Sequence, residues 1–319
     1  MTALTSAPPT GVRLSWEERE RRRARRDAIT SWILLAPSII LILLMVGYPA
    51  FQMVWQSFTD YQVRHKIQRT APEFVGLDNY IKIITRSDFP EVVARTVGIM
   101  VVTTVLIMVL GVLVALLMAK IGRGMRVTLS VGLLLAWAIP PLTASVVWGF
   151  IFDTQYGVVN WALNSITGTQ AWHNHSWLLN PWTFFLVLTI IVVWGAIPFV
   201  AFTTYAALGQ VPRETIEAAE IDGAGGWARW WGVIFPALRP VLGGLLILQI
   251  IWNMKLFTQV YALQSRGGIA SETNVLPVYL FRQGIGEFGA TSAIGMLIVL
   301  IMLAISWVNL RQLLKEDES

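Results

Sequence analysis

Residues 96–119 read TVGIMVVTTVLIMVLGVLVALLMA and contain no Asp, Glu, Lys or Arg. Each helical residue advances about 1.5 Å and the hydrocarbon core of a bilayer is about 30 Å thick, so an uncharged run of this length is a membrane span. The whole chain agrees with this stretch. Of its 319 residues 55% are hydrophobic and 13% charged, and the mean hydropathy is +0.61. Soluble proteins carry about 25% charged residues to keep their surfaces wet. The composition therefore excludes a soluble enzyme, a disordered scaffold and a disulfide-stapled secreted domain. With no cysteine in the chain, thiol catalysis, thiolate metal sites and redox switching are excluded as well. The fold class expected is an all-α integral membrane protein.

Further uncharged stretches lie at 28–59, 127–152, 182–208, 240–261 (interrupted by Lys255) and 288–310, which predicts six transmembrane helices. The first is too long for the apolar region of a cleavable signal peptide and no small-residue cleavage site closes it. It follows RLSWEERERRRARR, residues 13–26. Such a run can bind nucleic acid or anionic lipid; here it reads as the positive-inside anchor of the first span, with membrane lipid and no nucleic acid as partner. Lys and Arg set the orientation. They concentrate in 13–26, at Lys120, Arg123 and Arg126, at Arg213, Arg229 and Arg239, and at Arg311 and Lys315, which places both termini in the cytoplasm. Outside lie Arg64, Lys66, Arg69, Lys82, Arg86, Arg266 and Arg282, and the outer segment 153–181 has no Lys or Arg. The organisation expected is a basic cytoplasmic segment (1–28), a first transmembrane helix (29–57), an external loop (58–92), a core bundle (93–310) and a cytoplasmic tail (311–319).

Ion-coupled carriers place Asp, Glu or His within their helices. Here no acidic residue or histidine falls in any predicted span, and His65, His173 and His175 all lie in outside loops. His173 and His175 lack the further ligands a metal site needs, so no metal is expected. The chain contains no G-x-x-x-x-G-K-[ST] and no G-x-S-x-G, so it has neither a P-loop nor a nucleophile elbow. Neither an enzyme nor a self-powered pump is indicated.

The most elaborate cytoplasmic connection is QVPRETIEAAEIDGAGGWARWWGVIFPALRP, residues 210–240. Pro212 suits a first helical turn, and Glu214 and Glu217 favour its positive end. Ala218 and Ala219 are strong helix formers that let another surface come close. Asp222-Gly223 and Gly225-Gly226 end the helix, glycine taking the left-handed conformation needed there. A second helix is predicted from about Trp227 to near Pro236. The segment reads either as an amphipathic connector on the headgroups or as a stiff docking element for a cytoplasmic partner.

Glu217-Ala218-Ala219, then Asp222-Gly223-Ala224, with Pro236 closing the pattern, resembles the EAA motif of ABC importer permeases. Val233 and Phe235 stand where that motif has Ile and Leu. Within the family the chain resembles the carbohydrate permeases of the maltose, trehalose and glycerol-phosphate type, the trehalose permeases of actinobacteria above all. The resemblance implies the type I ABC importer permease fold in a bacterial plasma membrane, with 209–239 as the coupling loop. It further implies a second homologous permease subunit, two ATP-binding cassette subunits that hold ATP and Mg, and an extracytoplasmic sugar-binding protein. This chain itself would hold no cofactor, and closure of the ATPase pair would switch access through the membrane.

Sugars are held by side-chain hydrogen bonds and by aromatic faces against the ring. The fifth span carries Gln249, Asn253, Lys255 and Gln259. Gln249 and Asn253 are four apart, hence on one helix face, and polar groups in a span face a cavity or another helix. The resemblance puts Asn253 where the maltose-type permease has a sugar-contacting Asn. Lys255 either reaches the interface or meets substrate. Trp137 precedes Pro140-Pro141, a predicted kink, and Trp194 precedes Gly195 and Pro198. These residues form the expected substrate path of a sugar importer, with a disaccharide such as trehalose or maltose as cargo. The alternatives are a carrier or channel that uses no ATP, or an ABC importer for a phosphate ester, amino acid or peptide.

Overall fold

The structure is a computed structural model that describes residues 16–85 and 88–317, with the side chains of 17–27, 305–306 and 308–317 outside the description. Residues 1–15, Arg86, the arginine side chains of 13–26 and those of the tail at Arg311 and Lys315 thus lie outside the described residues. The chain forms two units, one ending at Trp55 and one beginning at Gln56. The first unit holds α1 (Trp16–Ile42), a widened turn (Leu43–Gly47) and most of α2 (Tyr48–Ser57). The stretch Ala28–Ser57, which ends two residues past this unit, is a 30-residue apolar helix, none of whose most apolar window is buried within the chain.

The second unit begins with α3 (Val63–Gln68) and α4 (Asp78–Thr85), within the stretch 58–92. The long α5 (Phe89–Lys120) follows, then α6 (Arg123–Ala138), α7 (Pro141–Ile151), α8 (Val158–Thr167) and α9 (Pro181–Leu208). After α9 come α10 (Arg213–Ile221), α11 (Gly226–Arg229), α12 (Phe235–Met254) and α13 (Thr258–Gln264). The chain closes with α14 (Ala270–Thr273), α15 (Leu276–Gln283) and α16 (Phe288–Asp317). Among the described residues, Ala28–Ser57, Phe89–Lys120, Pro181–Leu208 and Gly226–Gln264 are long and apolar enough to cross a membrane. The helices α6 and α7 are long and apolar enough only as a bent pair, a broken span or a re-entrant loop. The stretch expected at 288–310 lies in α16, of which Phe288–Ala304 is a shorter apolar helix.

The core is the pairing of α5 with α9. Apolar on every face, α9 is built as a buried helix, and Phe184, Val187, Leu188 and Val200 have no exposed surface. Its start is fixed by Asn180, whose side-chain oxygen accepts from the Trp182 amide at 2.8 Å, with Pro181 in the first turn. A Cβ built on Gly111 of α5 would stand 2.6 Å from Val200 Cβ, so glycine sets how closely the two helices approach. Buried threonines on α5 satisfy themselves inside the helix, as apolar surroundings demand. Thr103 donates to the Ile99 carbonyl and Thr96 to the Val92 carbonyl, both at 2.6 Å. Arg126 closes the far end of α5 by donating to the carbonyls of Met118 and Ile121 at 2.8 and 2.9 Å.

Pro140 and Pro141 do more than kink the third span: α6 and α7 meet at 101°. Ile139 and Pro140 are extended, and Pro141 opens a new helix, because two successive residues without N–H groups cannot continue the old one. The stretch 58–92 is built into this second unit. Ile83 and Phe89 pack with Met254, Leu276, Tyr279 and Ile294 in a second apolar cluster. Asn79 donates to the carbonyls of Ser57 and Thr59 at 2.9 and 2.8 Å.

One prediction from the 210–240 stretch is corrected. The second helix does not stop near Pro236. From Gly226 the chain stays helical to Met254 through a widened turn at Trp230–Ile234. The Phe235 amide reaches back to the Trp230 carbonyl, and the shift of register falls where Pro236 has no N–H to offer. The turn thereby absorbs a proline that would otherwise break the helix. Pro212 is likewise the residue before the helix (φ −58, ψ 129) rather than its first.

Candidate functional site

Two places collect the residues that the sequence singles out. The first is a cavity of about 270 Å³ among α6, α7, α9, α12 and α13. Trp137, Trp194, Gln249, Asn253 and Gln259 all line it, although they come from four different helical segments. Trp194 stands edge-on to Trp148 of α7 at 5.8 Å, which fixes its ring, while Trp137 is 56% exposed. No ionisable side chain is among the lining residues.

The polar groups of this cavity differ in how they are used. Asn253 is 3% exposed and its Nδ2 donates to Thr104 Oγ1 of α5 at 2.9 Å, a helix-to-helix bond across the bundle. Gln249 is fully buried, yet neither its Oε1 nor its Nε2 has a hydrogen-bond partner. Leaving a buried donor or acceptor unpaired costs about 1–3 kcal/mol each, so this amide is the unsatisfied polar group of the cavity wall. The two readings of this helix face thus divide between its residues: Asn253 joins helices and Gln249 faces the cavity.

Lys255 does not join them. It sits exposed at the break between α12 and α13 (φ −99, ψ 20) and is absent from the cavity wall. The helix ends at Met254, so Lys255 leaves the face that Gln249 and Asn253 share. Sequence spacing did not single out Phe199 and Trp252, which also line the cavity with rings 5.1 Å apart. The only signal for Trp252 was its place beside Asn253.

The second place is the loop of α10 and α11. Glu217, Ala218, Asp222 and Gly223 are exposed, Ala219 and Ala224 half-buried, and no residue of α10 is fully buried. The helix ends in a Schellman arrangement: the Gly223 amide donates to the Glu220 carbonyl at 3.0 Å and the Ala224 amide to the Ala219 carbonyl at 2.9 Å. Gly223 has φ +79, the left-handed value this turn requires. Ile216 packs against the bundle core and Glu220 pairs with Arg229 of α11. Ile221, at the tip, is 87% exposed. The result is a fixed helix that presents its alanine face and an apolar tip outward, rather than a loose connector. Pro236, the last element of the sequence pattern, lies apart from that tip in the first turn of α12 and is exposed.

His175 packs within the segment 153–181. The His175 carbonyl accepts from Asn160 Nδ2 at 2.9 Å, and its ring meets Trp177 edge-on at 4.9 Å. Trp177 in turn donates to Asn160 Oδ1 at 2.6 Å. Among the described residues no group of His, Asp or Glu is placed to hold a metal ion.

The family described as "Binding-protein-dependent transport system inner membrane component" matches residues 111–312. The diacetylchitobiose uptake system permease protein DasB of Streptomyces coelicolor is 38% identical, over 100% of this chain and 99% of that one. The trehalose/maltose transport system permease protein MalF of Thermococcus litoralis is 29% identical over 90% of this chain and 94% of its own. Among solved structures, a bacterial ABC transporter involved in the import of the acidic polysaccharide alginate superposes with a TM-score of 0.78. It covers 93% of this chain and 99% of that one at 19% identity, a likeness of fold.

Proposed function

This chain belongs to the family of binding-protein-dependent transport system inner membrane components, and on that premise we propose that it forms half of the translocation path of an ATP-driven importer for a neutral oligosaccharide. It is a multi-pass membrane permease and not an enzyme; ATP hydrolysis belongs to separate subunits. The observation that carries the choice of cargo is Gln249, a buried amide with both polar atoms unused, on a cavity wall with Trp137 and Trp194 and no charged group. Amide and indole together suit a sugar, whose hydroxyls take hydrogen bonds and whose ring face takes an aromatic. A phosphate ester or other anion would call for a basic lining, and the nearby Lys255 lies off the wall. A disaccharide is the cargo we favour, since relatives carry the names of diacetylchitobiose and trehalose/maltose systems.

Gln249 would contact the sugar first, with Asn253, held by Thr104, beside it and Trp137, Trp194 and Gln259 stacking on or bordering it. Glu217 to Ala224 would seat on one of two ATPase subunits, which hold ATP and Mg, leaving this chain without a cofactor of its own. A second permease subunit and an extracytoplasmic sugar-binding protein complete the proposed assembly. Relative movement of the halves would then pass from α10 through Ile216 and the helical run Gly226–Met254 to Gln249, which lies on that same run. The test is uptake of labelled diacetylchitobiose, trehalose and maltose into vesicles holding the assembled transporter. ATP-dependent uptake of one of them, lost more than tenfold in Gln249→Leu, is expected. Uptake that continues with the ATPase subunits left out would overturn the reading in favour of a carrier.

A further inference from the structure

A groove of about 1010 Å³ lies on α5, α11 and α12, beside Ile216 of α10. Its size is at the upper end of small-molecule sites, and it is distinct from the smaller cavity that holds Gln249. Three kinds of residue are arranged along it. Leu113 and Leu116 of α5 face Leu242 and Leu246 of α12 across an apolar floor. Trp227, Trp230 and Trp231 stand at the end toward α10, with Trp227 76% and Trp231 48% exposed. Lys120, Arg229 and Arg239 also line it, and no Asp or Glu does.

Apolar floor, indoles and cations in one groove match the three chemistries that a phospholipid presents to a protein: acyl chain, interface and headgroup. The three cations come from the end of α5, from α11 and from the start of α12, so the fold and not a run in the sequence brings them to one groove. Water does not fill such a floor without a large loss of apolar burial. The charge on the rim selects among lipids, because each Lys or Arg near an anionic surface gains about 1 kcal/mol over a neutral one.

We propose that this groove is a binding site for one anionic phospholipid, its acyl chain between α5 and α12 and its phosphate at Lys120, Arg229 and Arg239. The widened turn at Trp230–Ile234 contributes to this site: it lies within the segment that turns Trp227, Trp230 and Trp231 into the groove. Arg229 also pairs with Glu220 of α10, so a headgroup at Arg229 would border the contact that ties down the coupling loop. The proposal is independent of whether the cargo is a sugar.

The test uses the complete assembled transporter with phosphatidylglycerol and phosphatidylcholine as probes. In native mass spectrometry, wild type should retain phosphatidylglycerol in preference to phosphatidylcholine. Lys120→Gln and Arg239→Gln should each weaken that preference about fivefold, the equivalent of about 1 kcal/mol. Arg123→Gln, at the start of α6 and outside the groove, should leave it unchanged. Should either groove variant fail to assemble, quenching decides: brominated phosphatidylglycerol should quench wild-type tryptophan emission more than brominated phosphatidylcholine, and Trp227→Phe should remove part of the difference. Equal retention of the two lipids, or equal loss of preference in Arg123→Gln, would overturn the proposal. So would capture of the second permease subunit through a cysteine placed at Leu246, a clean test in a chain that has no cysteine.

Discussion

Gly223 lies at φ +79 in open space, since a Cβ added there meets nothing within 4 Å. A substitution at 223 is therefore a nearly pure backbone perturbation. An L-residue in the left-handed region costs about 1–2 kcal/mol, and replacing glycine recovers about 0.4–1 kcal/mol from the unfolded chain. The net cost of Gly223→Ala is about 1 kcal/mol, concentrated in a nine-residue helix with no fully buried side chain. Helices this short are marginal without their caps, so the capped population should fall about fivefold. Asn tolerates the left-handed region and should lose less than Ala, whereas Val, branched at Cβ, should lose more. Hydrogen exchange of the assembled transporter, followed at the amides of Gly223 and Ala224, should rise in the order Gly, Asn, Ala, Val. ATP-driven uptake should fall in the same order. Indistinguishable exchange in all four proteins would refute the backbone argument. Asn transporting as poorly as Val, with exchange still ordered, would mean that the partner needs bare surface at 223 whatever the φ.

Further consequences can be measured in the same preparation. Gln249→Leu removes two unpaired buried polar atoms, so thermal stability should stay level or rise by about 1 kcal/mol while uptake is lost; a fall in both would make Gln249 a packing residue. Gly111→Leu should prevent α5 from seating on Val200 and cost about 3 kcal/mol or more, read as a large drop in melting temperature. Gly111→Ala should cost about 1–2 kcal/mol after its gain in helix propensity, and Val200→Gly in the same chain should relieve the clash in a double-mutant cycle. Glu220 is half-exposed and Arg229 about a quarter exposed at 27%, so the pair is partly screened by water and Arg229→Ala should change global stability by about 1 kcal/mol or less. The same change should raise hydrogen exchange across 213–221, and exchange confined to other segments would show that the pair does not hold α10.

Much was legible in the sequence because membranes impose one-dimensional rules. Uncharged runs of sufficient length mark where a helix must hide its own backbone from lipid, and such runs placed α5, α9 and the helix Ala28–Ser57. The end of α10 was legible for a similar reason. Only glycine adopts φ +79 at little cost, so Asp222-Gly223 announced its Schellman turn before any contact was known. Prolines were harder. Pro140-Pro141 promised a kink and delivered a turn of 101°, while Pro236 promised a stop and was carried through by a widened turn. A proline states that one hydrogen bond is missing, but neighbouring elements decide whether the helix bends, breaks or widens.

The amino-acid sequence by itself determined the solvent, the helical class, the capped α10 loop and the polar residues of α12, because each follows from charge, spacing or backbone freedom within one segment. Only the tertiary structure decided that Trp137, Trp194, Gln249, Asn253 and Gln259 share one cavity, that Asn253 is spent on Thr104 while Gln249 is left unpaired, and that Lys255 stands apart. It also decided that Lys120, Arg229 and Arg239 meet around one apolar groove. Those outcomes depend on which faces of α5, α9 and α12 turn toward each other, and that rotation is set by contacts such as Gly111 against Val200 that join residues far apart in the chain.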